Sequence, residues 1–191
     1  MSYWTFTDIF EEQGPRMTPF HGGFGLLNYQ DIKKPAYYAY SFLNKLGNTE
    51  LSSNDSSSIV CKDKKGNLQV LFWNFSITHP GDTVNDQTFY KRDLPAKLIA
   101  PVTVKIAHLP AGKYKLRVYK VGYKANDAYA TYLDMKSPDQ LTRQQVTTIK
   151  QINNGKAVSE NVIAVTGGEL LKTFAMREND VYFVTIEKVK S

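Results

Sequence analysis

The chain has 191 residues, of which 42% are hydrophobic and 22% charged; this is globular composition and excludes a disordered tail, a collagen and a membrane protein. The net charge of +6 arises from 24 Lys and Arg against 18 Asp and Glu, but the cations are scattered rather than gathered on one stretch, which argues against a nucleic-acid surface. One cysteine, Cys61, excludes an intrachain disulfide framework, and 191 residues are too few for a complete (β/α)8 barrel, which needs roughly 250.

The opening residues Met1–Phe6 carry neither a charged n-region nor an apolar h-region, so they read as the middle of a folded element and not as a signal peptide. Tyr3-Trp4-Thr5-Phe6 is a short aromatic β-type run. Residues 11–25 follow as an irregular segment with Gly14-Pro15, Pro19 and the cluster Gly22-Gly23-Phe24-Gly25, where the backbone can take positive φ or approach a neighbour closely. A helix is predicted from Pro35, a favoured first-turn residue, to Gly47, burying Ala36, Ala39, Phe42-Leu43 and Leu46 on one face. Ser52–Ser58 reads as a linker.

From Ser58 the pattern becomes strands, predicted at 58–62, 68–75, 102–108, 114–121, 170–176 and 181–189. Turn residues separate several of them: Lys65-Gly66-Asn67, Pro110-Ala111-Gly112 and Glu178-Asn179-Asp180. Val102, Val104 and Ile106 alternate with Thr103, Lys105 and Ala107, as on a half-buried strand. The stretch from Lys113 to Lys124 likewise alternates cations with apolar residues and reads as a solvated face. One helix is predicted to interrupt the strands, starting at a capping box in Ser137-Pro138-Asp139-Gln140. Its apolar stripe would be Leu141, Gln145, Ile149 and Ile152, and Asn153-Asn154-Gly155 would end it. No run of 18 apolar residues could cross a membrane as a helix.

Few residues advertise chemistry. Glu11-Glu12 is a carboxylate pair, the tool of glycoside hydrolysis, but catalytic carboxylates must face each other across the sugar at about 5–9.5 Å. Neighbours in an extended segment point to opposite sides, so the two cannot bracket one glycosidic bond. One of them could still accept hydrogen bonds from sugar hydroxyls; bare of context, a surface acidic pair is the simpler reading. Trp4 could floor a pyranose ring or pack in a core, and His21 could be a polar contact in a cleft or a structural histidine. His79 and His108 have no partner at metal-ligand spacing, so no metal or cofactor is expected. Cys61 falls in a predicted strand, buried and inert. No nucleophile elbow, phosphate loop, dinucleotide fingerprint or Cys-x-x-Cys is present.

Taken together, the opening residues say more. Ser2-Tyr3-Trp4-Thr5-Phe6-Thr7-Asp8-Ile9-Phe10-Glu11-Glu12, then Pro19-Phe20-His21-Gly22-Gly23-Phe24-Gly25-Leu26, closely resemble glycoside hydrolase family 39. That family contains the bacterial β-xylosidases, the nearer likeness, and the α-L-iduronidases. Lys34-Pro35-Ala36 and Tyr40-x-Phe42-Leu43-Asn44-x-Leu46-Gly47 continue it. Ala128-Tyr129, Met135-x-Ser137-Pro138 and Arg177-Glu178-Asn179-Asp180-Val181-Tyr182 resemble the same family's C-terminal region less sharply. The resemblance implies a (β/α)8 barrel joined to a β-sandwich. Tyr3–Phe6 would be the eighth barrel strand, residues 8–29 its active-site loop and 35–46 the eighth helix. It also implies that Trp4, Glu11, Glu12 and His21 belong to the sugar subsite. The family's acid/base glutamate follows an asparagine and its nucleophilic glutamate ends the seventh strand. This chain has no Asn-Glu pair, so both are expected upstream of residue 1.

The expected fold is therefore mainly β. Residues 1–49 would form the last strand-loop-helix unit of a barrel, and residues 50–191 an antiparallel β-sandwich with one inserted helix near 138–152. The expected function is that of the C-terminal portion of a retaining β-xylosidase-like enzyme, with no catalytic residue of its own and inactive alone. Its expected partners are a xylose-containing oligosaccharide, the rest of the barrel and, through residues 1–49, a second copy; the compartment is left open. The alternative is a free-standing carbohydrate-binding or structural sandwich module, and carbohydrate binding would require a solvent-facing row of aromatics.

Overall fold

The structure, a computed structural model, describes residues 3–9, 14, 16–76 and 95–189. It is mainly β with antiparallel sheets, and the chain divides into two compact units, residues 1–45 with 120–156 and residues 46–119 with 157–191.

The second unit is the sandwich. Its strands are β1 (Thr49–Leu51), β2 (Ser58–Lys62), β3 (Leu68–Trp73), β4 (Leu98–Ile106), β5 (Gly112–Val121), β6 (Ser159–Val165), β7 (Leu170–Arg177) and β8 (Val181–Lys188). Six of them form a sheet in the order β1-β2-β3-β8-β5-β6, while β4 and β7 pair as a separate ribbon. The pairs β1–β2, β2–β3, β3–β8, β5–β6 and β4–β7 are antiparallel. One core joins the two layers: Val70 and Phe72 of β3, Leu116 and Val118 of β5, Phe174 and Met176 of β7, and Tyr182 and Val184 of β8. Phe72 and Tyr182 are register partners whose rings stack at 5.2 Å, and Phe174 meets them from the ribbon at 5.1 and 5.4 Å. Contacts of this kind add to the transfer free energy of burying three large rings.

All six predicted strands form. On β4, Val102, Val104 and Ile106 are partly buried and Thr103 and Lys105 exposed, as the alternation requires. The strand begins at Leu98, four residues earlier than expected, because Pro101 does not break it. The register slips by one residue between Ile99 and Val102, so the proline sits in a bulge, where no ladder donor is needed. Two further strands escaped prediction. β1 has only three residues, and β6 begins with Ser159-Glu160-Asn161. Both are edges of the large sheet, where neighbours on one side only demand little apolar pattern. On β5, Arg117 donates to Glu160 of β6 at 2.7 Å and to Glu187 of β8 at 2.6 Å, so part of the cationic stretch is tied to carboxylates on the sheet surface.

The first unit contains the helices α1 (Pro35–Leu43), α2 (Ala128–Asp134) and α3 (Arg143–Ile152). Helix α1 starts at the predicted proline but stops at Leu43; of the predicted stripe Phe42 is buried, while Ala36, Ala39 and Leu43 are half-buried and Tyr38 is buried in addition. Two helices, not one, stand between β5 and β6. α2 has seven residues, two of them Ala and two Tyr, too short to show a helical period, and is nucleated by Asp127, whose side chain caps Ala130 N–H. The capping box exists, but it is Thr142 with Gln145 and not Ser137 with Gln140. Both helices cluster with residues 1–45 rather than with the strands. The reason is a second core, in which Ala128, Tyr132, Leu141 and Ile149 pack with Ile32, flanked by Phe20, Leu133, Met135 and Val146. Tyr38 also donates its hydroxyl to the carbonyl of Asn153, and its burial pushes the phenol up to about 12, with a smaller contribution from Tyr37. Asn126 closes the neck of this insertion, donating to Lys120 O and accepting from Gly155 N–H.

Candidate functional site

The segment Tyr3–Phe6, expected as a strand, forms no ladder of its own among the described residues. Instead it makes a narrow ribbon with residues 26–27. Leu26 N–H donates to Thr5 O at 3.2 Å, Leu27 N–H to Phe6 O at 3.0 Å and Asp8 N–H to Leu27 O at 3.0 Å. Thr7 bridges Leu27 in parallel, and Leu27 bridges Lys33. An isolated two-stranded pairing is marginal in water, and the backbone bonds described for this segment all go to residues 26–27.

Three devices shape the loop between the two sides of the ribbon. Asn28, fully buried, accepts from Gln30 N–H and Ile32 N–H at 2.9 Å and donates to Pro19 O at 3.1 Å. It thus turns the chain while fastening the far side of the loop. Gly25 approaches the ribbon so closely that a Cβ would lie 2.4 Å from Asp8 N and from Thr7 C. Asp8, 3% exposed, accepts from Gly25 N–H at 2.7 Å and, through its two carboxylate oxygens, from the Lys34 ammonium at 2.8 and 2.9 Å. Lys34 spends its remaining proton on Gly23 O at 2.7 Å. No sequence signal joined Asp8 to Lys34, which stand 26 residues apart.

The ribbon brings the segment bearing Trp4 alongside the loop bearing His21. The Trp4 side is open: Trp4 is 72% exposed, Phe6 62% and Phe24 69%, with Ile9 and Met17 exposed as well. His21 is half-buried. Glu11 and Glu12 lie outside the described residues. Cys61 is buried in β2, and burial, aided by the charge of Glu50, pushes its thiol up, away from nucleophilic use. Among the described residues no three His, Cys, Asp or Glu gather as a metal site, and no helix is long and apolar enough to cross a membrane. Among the described residues the sandwich unit exposes one large aromatic, Phe75, which lies outside the strands.

The comparisons with known proteins decide the family. The profile of Glycosyl hydrolases family 39 matches residues 1–169. The chain belongs to this family. It is 28% identical over 189 residues to a β-xylosidase of Geobacillus stearothermophilus, covering 99% of this chain and 34% of that protein. The crystal structure of a monomeric β-xylosidase from Caulobacter crescentus superposes with a TM-score of 0.88 at 37% identity, over 100% of this chain and 38% of the other. A family 39 enzyme from Xanthomonas axonopodis gives a TM-score of 0.87 at 38% identity, over 99% of this chain and 37% of the other. The chain thus spans about a third of the length of the relatives it matches and corresponds to the C-terminal part of family 39.

Proposed function

We propose that this chain serves as the C-terminal portion of a retaining, β-xylosidase-like glycosidase, supplying one flank of the sugar subsite and the accessory sandwich. The observation that carries this reading is the pairing of a firmly tied loop with exposed aromatics: Trp4, Phe6 and Phe24 are largely open to solvent while the backbone beside them is fastened by buried bonds. A lone domain seldom leaves such side chains uncovered. The rest of a barrel would cover Phe6 and its apolar neighbours and leave Trp4 beneath the sugar.

Within that site, Trp4 supplies apolar surface to the pyranose, and one or both of Glu11 and Glu12 orient its hydroxyls and discriminate xylose from bulkier sugars. His21 lines the same loop. The general acid and the nucleophile come from the upstream two-thirds, so this chain alone does not hydrolyse aryl β-xylosides. A chimaera tests the proposal by putting this chain in place of the corresponding C-terminal 38% of the Caulobacter crescentus β-xylosidase. The chimaera should release the aryl leaving group, whereas the chain alone should not. Turnover by the purified chain, or a folded chimaera without turnover, would refute the reading. In an active chimaera, replacing by glutamine a carboxylate that orients the sugar should lower kcat/KM about ten- to a hundredfold, the range of one charge-assisted hydrogen bond. Neither Glu11→Gln nor Glu12→Gln having an effect would remove both from the subsite.

A further inference from the structure

Lys34 stands at the N-cap of α1, yet its side chain caps nothing. It has no acceptor to offer the helix, and its ammonium turns back to the ribbon. There all three of its protons are used, two on the Asp8 oxygens and one on Gly23 O. The Asp8 side chain is 1% exposed and that of Lys34 17%. Taking such a pair out of water costs more than an apolar contact of the same size would, unless the hydrogen bonding is complete. Here it is complete on the ammonium, and the carboxylate takes the Gly25 N–H as well.

The loop explains why a charge pair is used. Gly22, Gly23 and Gly25 have no side chains to pack, so apolar contacts cannot hold this stretch in one conformation. Directional bonds to its backbone can. Lys34 takes the carbonyl of Gly23, Asp8 takes the amide of Gly25, and the pair locks the two grips together. Phe24, between them, stays exposed.

We propose that Lys34 is a positioning residue for the loop His21–Gly25, acting through Asp8 and the Gly23 carbonyl and touching no sugar itself. The catalytic consequence rests on the reading of this loop as sugar-facing; the mechanical one does not. Two arms therefore test it. In this chain, hydrogen exchange followed by NMR should show the Gly25 and Leu27 amides opening about tenfold faster or more in Lys34→Met and in Asp8→Asn, with β3 and β8 unchanged. The double variant should recover part of that loss, because it buries no lone charge. Unchanged exchange at Gly25 in Lys34→Met would overturn the proposal.

In the active chimaera, Lys34→Met should lower kcat/KM by up to about a hundredfold, the cost of misplacing a contact by about 1 Å. The melting temperature should hold, and Lys34→Arg should restore part of the rate. A lowered melting temperature with kcat/KM unchanged per folded molecule would make Lys34 merely structural and would overturn the catalytic role. An inactive chimaera with Lys34 intact counts against the proposed function, and the exchange arm still decides the latch.

Discussion

Gly25 has no room for a side chain, since its neighbours at 2.4 Å are backbone atoms that cannot rotate away. Gly25→Ala should part the ribbon, seen as shifted or broadened amide resonances of Thr7, Asp8 and Leu27 with the sandwich unaffected. Gly167, with open space around it, should accept alanine silently. If both variants give the native spectrum, the close approach is wrong. A second residue sets a pH dependence. Asp63 shapes the β2–β3 turn, accepting from Lys65 N–H, Asn67 N–H and the Asn67 side chain. The Asn67 side-chain bond, joined by those two backbone amides, holds its carboxyl below the ordinary 3.8. A group lowered on folding stabilises the fold above its unfolded value and loses that contribution as pH falls through the folded one. The wild type should therefore lose stability to urea faster than Asp63→Asn as pH drops below about 4, and parallel curves would remove the effect. Of these residues, the turn at Gly66 was legible, because Gly and Asn between apolar runs have a local meaning. The Asp8–Lys34 pair was not, because nothing local relates positions 26 apart.

Elements were legible in proportion to how local their causes are. β2 begins and ends where expected, since a charged turn bounds it and its partner is the next strand. The α3 cap was placed five residues early because Ser137-Pro138-Asp139-Gln140 imitates a helix start. The true start is the one whose helix puts Ile149 into the second core. Thr142→Ala should cost about 1 kcal/mol, the usual loss for a hydroxyl cap, measurable by urea denaturation. Phe174→Ala should cost the sandwich about 3–5 kcal/mol, because its ring is the ribbon's contact with Phe72 and Tyr182. A smaller cost for Phe174 than for Thr142 would reverse this ranking of packing over capping.

At the scale of the molecule, Trp4, Phe6, Ile9, Met17 and Phe24 are all exposed, and a contiguous apolar surface of such residues would favour association. With no barrel present, this face should bind itself. Light scattering should show apparent mass rising with concentration, and Phe6→Ser should reduce the rise; a monomer at every concentration would exclude self-pairing. The sequence by itself determined the family, through motifs whose glycines, aromatics and carboxylates stand at fixed short spacings. It also determined the sandwich, because alternation and turn chemistry are properties of neighbouring residues. Only the tertiary structure decided that residues 120–156 fold with the N-terminal segment and not with the strands on either side of them. Their partners, Phe20 and Ile32, lie about a hundred residues upstream, and a contact made across that distance leaves no period or spacing in the chain.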